Sequence, residues 1–147
     1  MIGNVSQASN VTAVPPTHDT RIRTGAVAIL ILLLAELLLG DLLAMVGSPY
    51  PVGYLAAHIA LSILLVGLVA HVLVRSTRTP SRPARLAAGL TFVSTLGATL
   101  GGTVFLLGGG ADAALYAMEG LGGIALLGAI LLIVWGSVEI PSTPTAP

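Results

Sequence analysis

Five titratable side chains lie inside or beside the long apolar stretches of this chain: Glu36, Asp41, His58, His71 and Glu119. A charged group at the centre of a bilayer costs about 2.5–3.5 kcal/mol on insertion scales, so such residues face a protein interior or an aqueous cavity and point to function by default. His58 has two readings. It is a buried imidazole hydrogen-bonded to Asp41, Glu119 or a backbone carbonyl, or it is an axial haem ligand between facing helices. Glu36 is a proton-carrying group or a protonated carboxyl bonded to Thr95 or Thr99. His71 follows His58 by 13 residues, about 20 Å along a helix and about 140° around it. The two cannot ligate one metal. His71 reads as an interfacial histidine one turn before Arg75, or as a second haem ligand.

The elements that must carry these residues follow from composition. Of 147 residues, 55% are apolar and 8% charged, against about 25% charged in ordinary soluble domains. The mean hydropathy is +0.99. The expected class is an all-α integral membrane protein. Formal net charge is zero, which gives no electrostatic reason for a nucleic-acid partner. The chain has no Cys and no Lys, which excludes disulfides, thiolate ligands and Schiff-base chemistry. The expected organisation is a flexible cytoplasmic tail over 1–24, a four-helix membrane domain over 25–136 and a short tail over 137–147. Four spans are expected, about 25–46, 52–74, 86–107 and 111–135. Each is long enough to cross a hydrocarbon core of about 30 Å. Gly47-Ser48-Pro49-Tyr50-Pro51 and Gly108-Gly109-Gly110 read as tight turns.

Arg21 and Arg23 precede the first span, and Arg75, Arg78, Arg82 and Arg85 lie around the middle loop; the other two turns carry no Arg. The positive-inside rule then puts both termini and the Arg loop in the cytoplasm. The expected location is the cytoplasmic membrane of a prokaryote. At 1.5 Å per residue, Asp41, His58 and Glu119 fall in one layer about 10 Å below the outer helix ends, with Ser62 one turn below His58 and Glu36 near mid-membrane.

A shift of 61 residues lays the second half on the first without a gap. Gly40 meets Gly101, Gly47 meets Gly108 and Gly67 meets Gly128, and His58 falls on Glu119. The bundle therefore reads as a tandem two-helix repeat, an architecture that favours sites at the repeat interface. Gly97 and Gly101 form a GxxxG pair. Small residues of span four (Ala113, Ala117, Gly120, Gly123, Gly128) complement them, as membrane helices that pack closely require. Thr91, Thr95, Thr99 and Thr103 form a slowly drifting stripe.

The stretch from Leu39 to Leu65, LGDLLAMVGSPYPVGYLAAHIALSILL, resembles the haem A synthase family. There a helix ends in a Gly-containing segment, a short turn follows, and the next helix carries a haem-ligating His about one and a half turns in. The resemblance implies a half-length four-helix protein that oligomerises, with His58 as axial haem ligand. Glu119, or His58 of a second copy, would then serve as the other ligand. The chain departs from the family at Tyr54 and Leu55, where a carboxylate is usual, at Ile59, where Arg is frequent, and at Glu119, where a second His belongs. The expected function is haem binding in cofactor assembly or respiratory electron transfer, as a homo-oligomer or within a larger respiratory membrane complex. The alternatives are a non-enzymatic accessory subunit, and a small proton-coupled transporter using Glu36, Asp41 and Glu119.

Overall fold

The computed structural model describes residues 18–47, 49–107 and 112–136. The first 17 residues, the Gly108-Gly109-Gly110 turn and the C-terminal tail lie outside the described residues. Four helices account for nearly all the rest: α1 (His18–Val46), α2 (Val52–Ser76), α3 (Arg82–Leu107) and α4 (Asp112–Trp135). All four are long and apolar enough to cross a membrane. Short connections make sequential helices antiparallel neighbours. α4 also packs back on α1, so the helices form a closed ring, with α3 and α4 the most intimate pair and α2 and α3 the least.

Helix ends have local causes. α1 stops at Gly47, whose φ of +69° is the left-handed conformation that glycine adopts without Cβ strain. The Gly47 N–H donates to the Leu43 carbonyl at 3.1 Å, and Pro49 prevents continuation. α3 starts at Arg82, four residues before the expected Leu86. The Ser81 hydroxyl accepts the Ala84 N–H at 3.4 Å, an N-cap arrangement that tolerates Pro83 in the first turn. α1 likewise reaches back to His18, so residues 18–24 are helical rather than part of a flexible tail. No Pro or Gly interrupts that stretch, and Ile22 is buried there at 1% exposure.

Each helix presents one inward stripe whose steps alternate between four and three residues. The positions are 22, 26, 29, 33, 36, 40 and 43 on α1, and 58, 62, 65, 69, 72 and 76 on α2. On α3 they are 84, 88, 91, 95, 98, 102 and 105, and on α4 they are 118, 122, 125, 129, 132 and 136. A mean step of 3.5 residues keeps one seam facing the partners and belongs to left-handed bundles with shallow crossing angles. The core of Ile22, Ile29, Leu33, Val69, Ala88 and Leu132 lies on these seams. The remaining faces are apolar too. Only 22–33% of the most apolar window of each helix is buried. Leu38, Met45, Ile63, Leu100 and Ile124 stand on the outside.

The α3–α4 seam is close because it lacks side chains. A Cβ at Gly101 would lie 3.2 Å from the Met118 nitrogen and 3.3 Å from the Ala114 carbonyl, and one at Gly128 would lie 3.2 Å from the Thr91 nitrogen. Gly97 meets the Leu121 side chain. Gly120 and Gly123 face open space, so the expected small-residue face of α4 is divided, with Gly128 inside and these two outside.

Candidate functional site

The inward stripes are apolar or small except for Thr91 and Ser76, whose hydroxyls donate to carbonyls of their own helices, and for four polar residues within about two turns of one another in level. Glu36 on α1, His58 and Ser62 on α2, and Thr95 on α3 occupy stripe positions. Glu36 lies ten residues before the end of α1 and Ser62 ten residues into α2, so both sit about 15 Å from their helix ends. His58 is one turn nearer the end. Periodicity directs these polar groups at the bundle axis, where water cannot serve them and burial is costly without partners.

The Ser62 hydroxyl donates to Glu36 Oε1. His58 Nδ1 lies 3.2 Å from the same oxygen, within ion-pair distance but outside hydrogen-bond alignment. His58 is buried, its Cε1 facing Gly40, where a Cβ would be 3.6 Å away from it and 3.7 Å from Met118 Cε. The missing side chain leaves room for both the imidazole and the thioether beside α1. Among the described residues, three buried side-chain polar atoms stay without a hydrogen-bond partner: Glu36 Oε2, His58 Nδ1 and Thr95 Oγ1.

Thr95 differs from the other threonines of its stripe. Thr91, Thr99 and Thr103 each donate to the carbonyl four residues back; Thr95, 2% exposed, donates to nothing. Four residues are 400° of helix, so each step drifts about 40°. The drift carries the stripe from fully buried Thr91 to exposed Thr103.

These groups line a cavity of about 440 Å³ with Leu33, Leu37, Val66, Leu96, Gly102 and Met118 among its walls. The volume falls within the usual range of small-molecule sites, about 300–1,000 Å³. Left empty as a sealed void, it would cost about 10 kcal/mol at roughly 24 cal/mol per Å³, as much as the whole stability of a typical domain. The cavity is not sealed. Ile59 and Ile63 of α2 and Thr103 of α3 line it and are exposed, so its mouth opens sideways between the least intimate pair of helices.

The structure brings together His58, Ser62 and Glu36 among the residues expected from sequence. It leaves Asp41 and Glu119 exposed and away from the cavity. The partner of His58 is Glu36, not Asp41 or Glu119, because 36 falls on the inward seam of α1 and 41 and 119 fall off theirs. The partner of Glu36 is Ser62, not Thr95 or Thr99; the Thr99 hydroxyl is occupied by the Thr95 carbonyl at 2.9 Å. His71 is exposed at the opposite end, where its Nε2 accepts from Arg75 Nε at 2.8 Å. Sequence reading left Met118 and Gly122 out of the site and gave Thr95 only a partner's role. The four-three stripe carries all three and was the available signal. Among the described residues no group of three or more His, Asp or Glu is placed to hold a metal ion.

No protein-family model, curated protein or solved structure matches this chain. The site itself therefore carries the functional reading.

Proposed function

We propose that this chain is an integral membrane four-helix bundle that binds a small, largely apolar molecule within the bilayer. The observation that carries the reading is the 440 Å³ cavity, apolar in most of its walls, with Glu36, His58 and Thr95 among its lining residues and each holding an unpartnered polar atom. A non-functional core would fill this space and leave those atoms out. The outward apolar faces of all four helices support insertion. Six Arg and no Lys, with every Arg at one end of the bundle, support an orientation with both termini and the α2–α3 loop in the cytoplasm. The 61-residue repeat is supported by helix ends that correspond under the shift: α1 at Val46 and α3 at Leu107.

Haem is the first candidate ligand, through the resemblance to haem A synthases. The residues fit one axial bond. His58 places Nδ1 3.2 Å from a carboxylate oxygen, a pairing that, once aligned as a hydrogen bond, would orient an imidazole whose other nitrogen binds metal. Met118 supplies a thioether to the same cavity, a known haem ligand type. Glu119, exposed on α4, is not placed to share the group with His58. Haem, if bound, would supply one-electron chemistry; the chain's own contribution would be His58, 3.2 Å from Glu36, whose carboxylate Ser62 orients, within largely apolar walls. The protein purified after expression with added haem should show a Soret band that His58→Ala removes. A folded, colourless protein would reject haem. Retention of the band in His58→Ala would reject His58 as ligand.

A further inference from the structure

We propose that the cavity takes a bilayer-soluble molecule with a hydroxylated head and an apolar tail, an alcohol or phenol, entering from the lipid between α2 and α3. The inference rests on the intramembrane-ligand reading and names the ligand class for that site. Its first ground is the pair of unsatisfied groups. Glu36 Oε2 seeks a donor and the Thr95 hydroxyl seeks an acceptor, and a hydroxyl is the smallest group that both donates and accepts. Thr95 is 2% exposed, and both residues line the cavity.

The second ground is shape. The walls away from Glu36, His58, Ser62 and the threonines are Leu, Ile, Val, Ala, Gly and Met, which suit a hydrocarbon tail and give no counter-charge to an ionic head. The cavity has about three times the volume of a 150 Å³ apolar cavity known to stay dry and bind benzene. A single ordered water would leave most of it empty. The third ground is the route. Ile63, a lining residue, is 69% exposed, and Thr103 of α3, another lining residue, is exposed as well. The mouth thus faces the same medium as the outer helix faces, and a lipid-dissolved molecule reaches the polar level without crossing water.

The test uses the full chain in lipid nanodiscs with two probes, farnesol and its methyl ether, which share a tail and differ in the hydroxyl proton. Farnesol should bind saturably, and about fivefold to tenfold more tightly than the ether, the ratio expected for one buried hydrogen bond. Glu36→Leu should abolish most of that preference, because the probe's proton loses its acceptor. Thr95→Val, nearly isosteric, should weaken both probes alike, because an alcohol and an ether oxygen both accept from the threonine hydroxyl. Both variants should keep the helical circular dichroism spectrum. Thr103→Trp, at the exposed mouth, should slow uptake of both probes at least tenfold while keeping the helical circular dichroism spectrum. Equal affinity for alcohol and ether, a preference unchanged in Glu36→Leu, or unchanged affinity for both probes in Thr95→Val overturns the hydroxyl assignment. Unchanged uptake in Thr103→Trp overturns the lateral route. Haem binding without farnesol binding overturns this inference and leaves the ligand-binding reading standing. Failure of haem, farnesol and the ether alike removes both.

Discussion

Replacing Glu36 by Leu separates a functional carboxylate from a structural one, because the opposing terms nearly cancel. Removing a carboxylate from a bilayer interior returns about 2.5–3.5 kcal/mol on insertion scales. Against this, the Ser62 hydroxyl loses its acceptor, and an orphaned buried group costs about 1–3 kcal/mol. His58 loses less, since its Nδ1 has no aligned hydrogen bond to Glu36 to begin with. Glu36→Leu should therefore sit within about 1–2 kcal/mol of the parent. The double variant Glu36→Leu/Ser62→Ala removes both partners and should be as stable as the parent or more so, as apolar replacement of a whole polar pair allows. The assay is unfolding by sodium dodecyl sulfate in mixed micelles, followed by far-ultraviolet circular dichroism, with farnesol and haem binding measured on the same samples. A stable double variant that has lost ligand binding is the expected result. A loss of more than about 3 kcal/mol would refute the reasoning: the polar layer would then hold the bundle together, and the cavity would be incidental to it.

Two further outcomes are expected. Gly128→Ala drives a Cβ to 3.2 Å from the Thr91 nitrogen and should cost about 1–3 kcal/mol by overpacking, whereas Gly123→Ala, facing open space, should be neutral or gain about 0.5–1 kcal/mol; thermal unfolding of the two in one detergent checks the contrast, and equal effects would argue against the close α3–α4 seam. Because the chain contains no Cys, single substitutions report topology cleanly: Ser81→Cys should react with a membrane-impermeant maleimide only in inside-out vesicles and Pro49→Cys only in right-side-out cells, and the reverse pattern would invert the orientation.

The sequence by itself determined what depends on one helix at a time. Length and hydropathy gave four spans, Gly47 and Pro49 gave the first turn, and a fixed rise per residue gave depth. That is why His58 and Ser62 could be placed one turn apart on one face and His71 at the far end. The same rise puts Glu36 about one turn deeper than His58. Rotation about each helix axis was different, since it is set only when four helices settle against one another. Depth grouped His58 with Asp41 and Glu119, yet both carboxylates turn outward, and the partner came from Glu36, one turn deeper, because a Glu side chain spans that offset. The tertiary structure alone decided that Thr95 has no acceptor while Thr91, Thr99 and Thr103 do, and that Gly102, Gly122 and the loose α2–α3 contact leave a cavity beside it. Periodicity tells which way a residue points. Only packing tells what is missing in front of it.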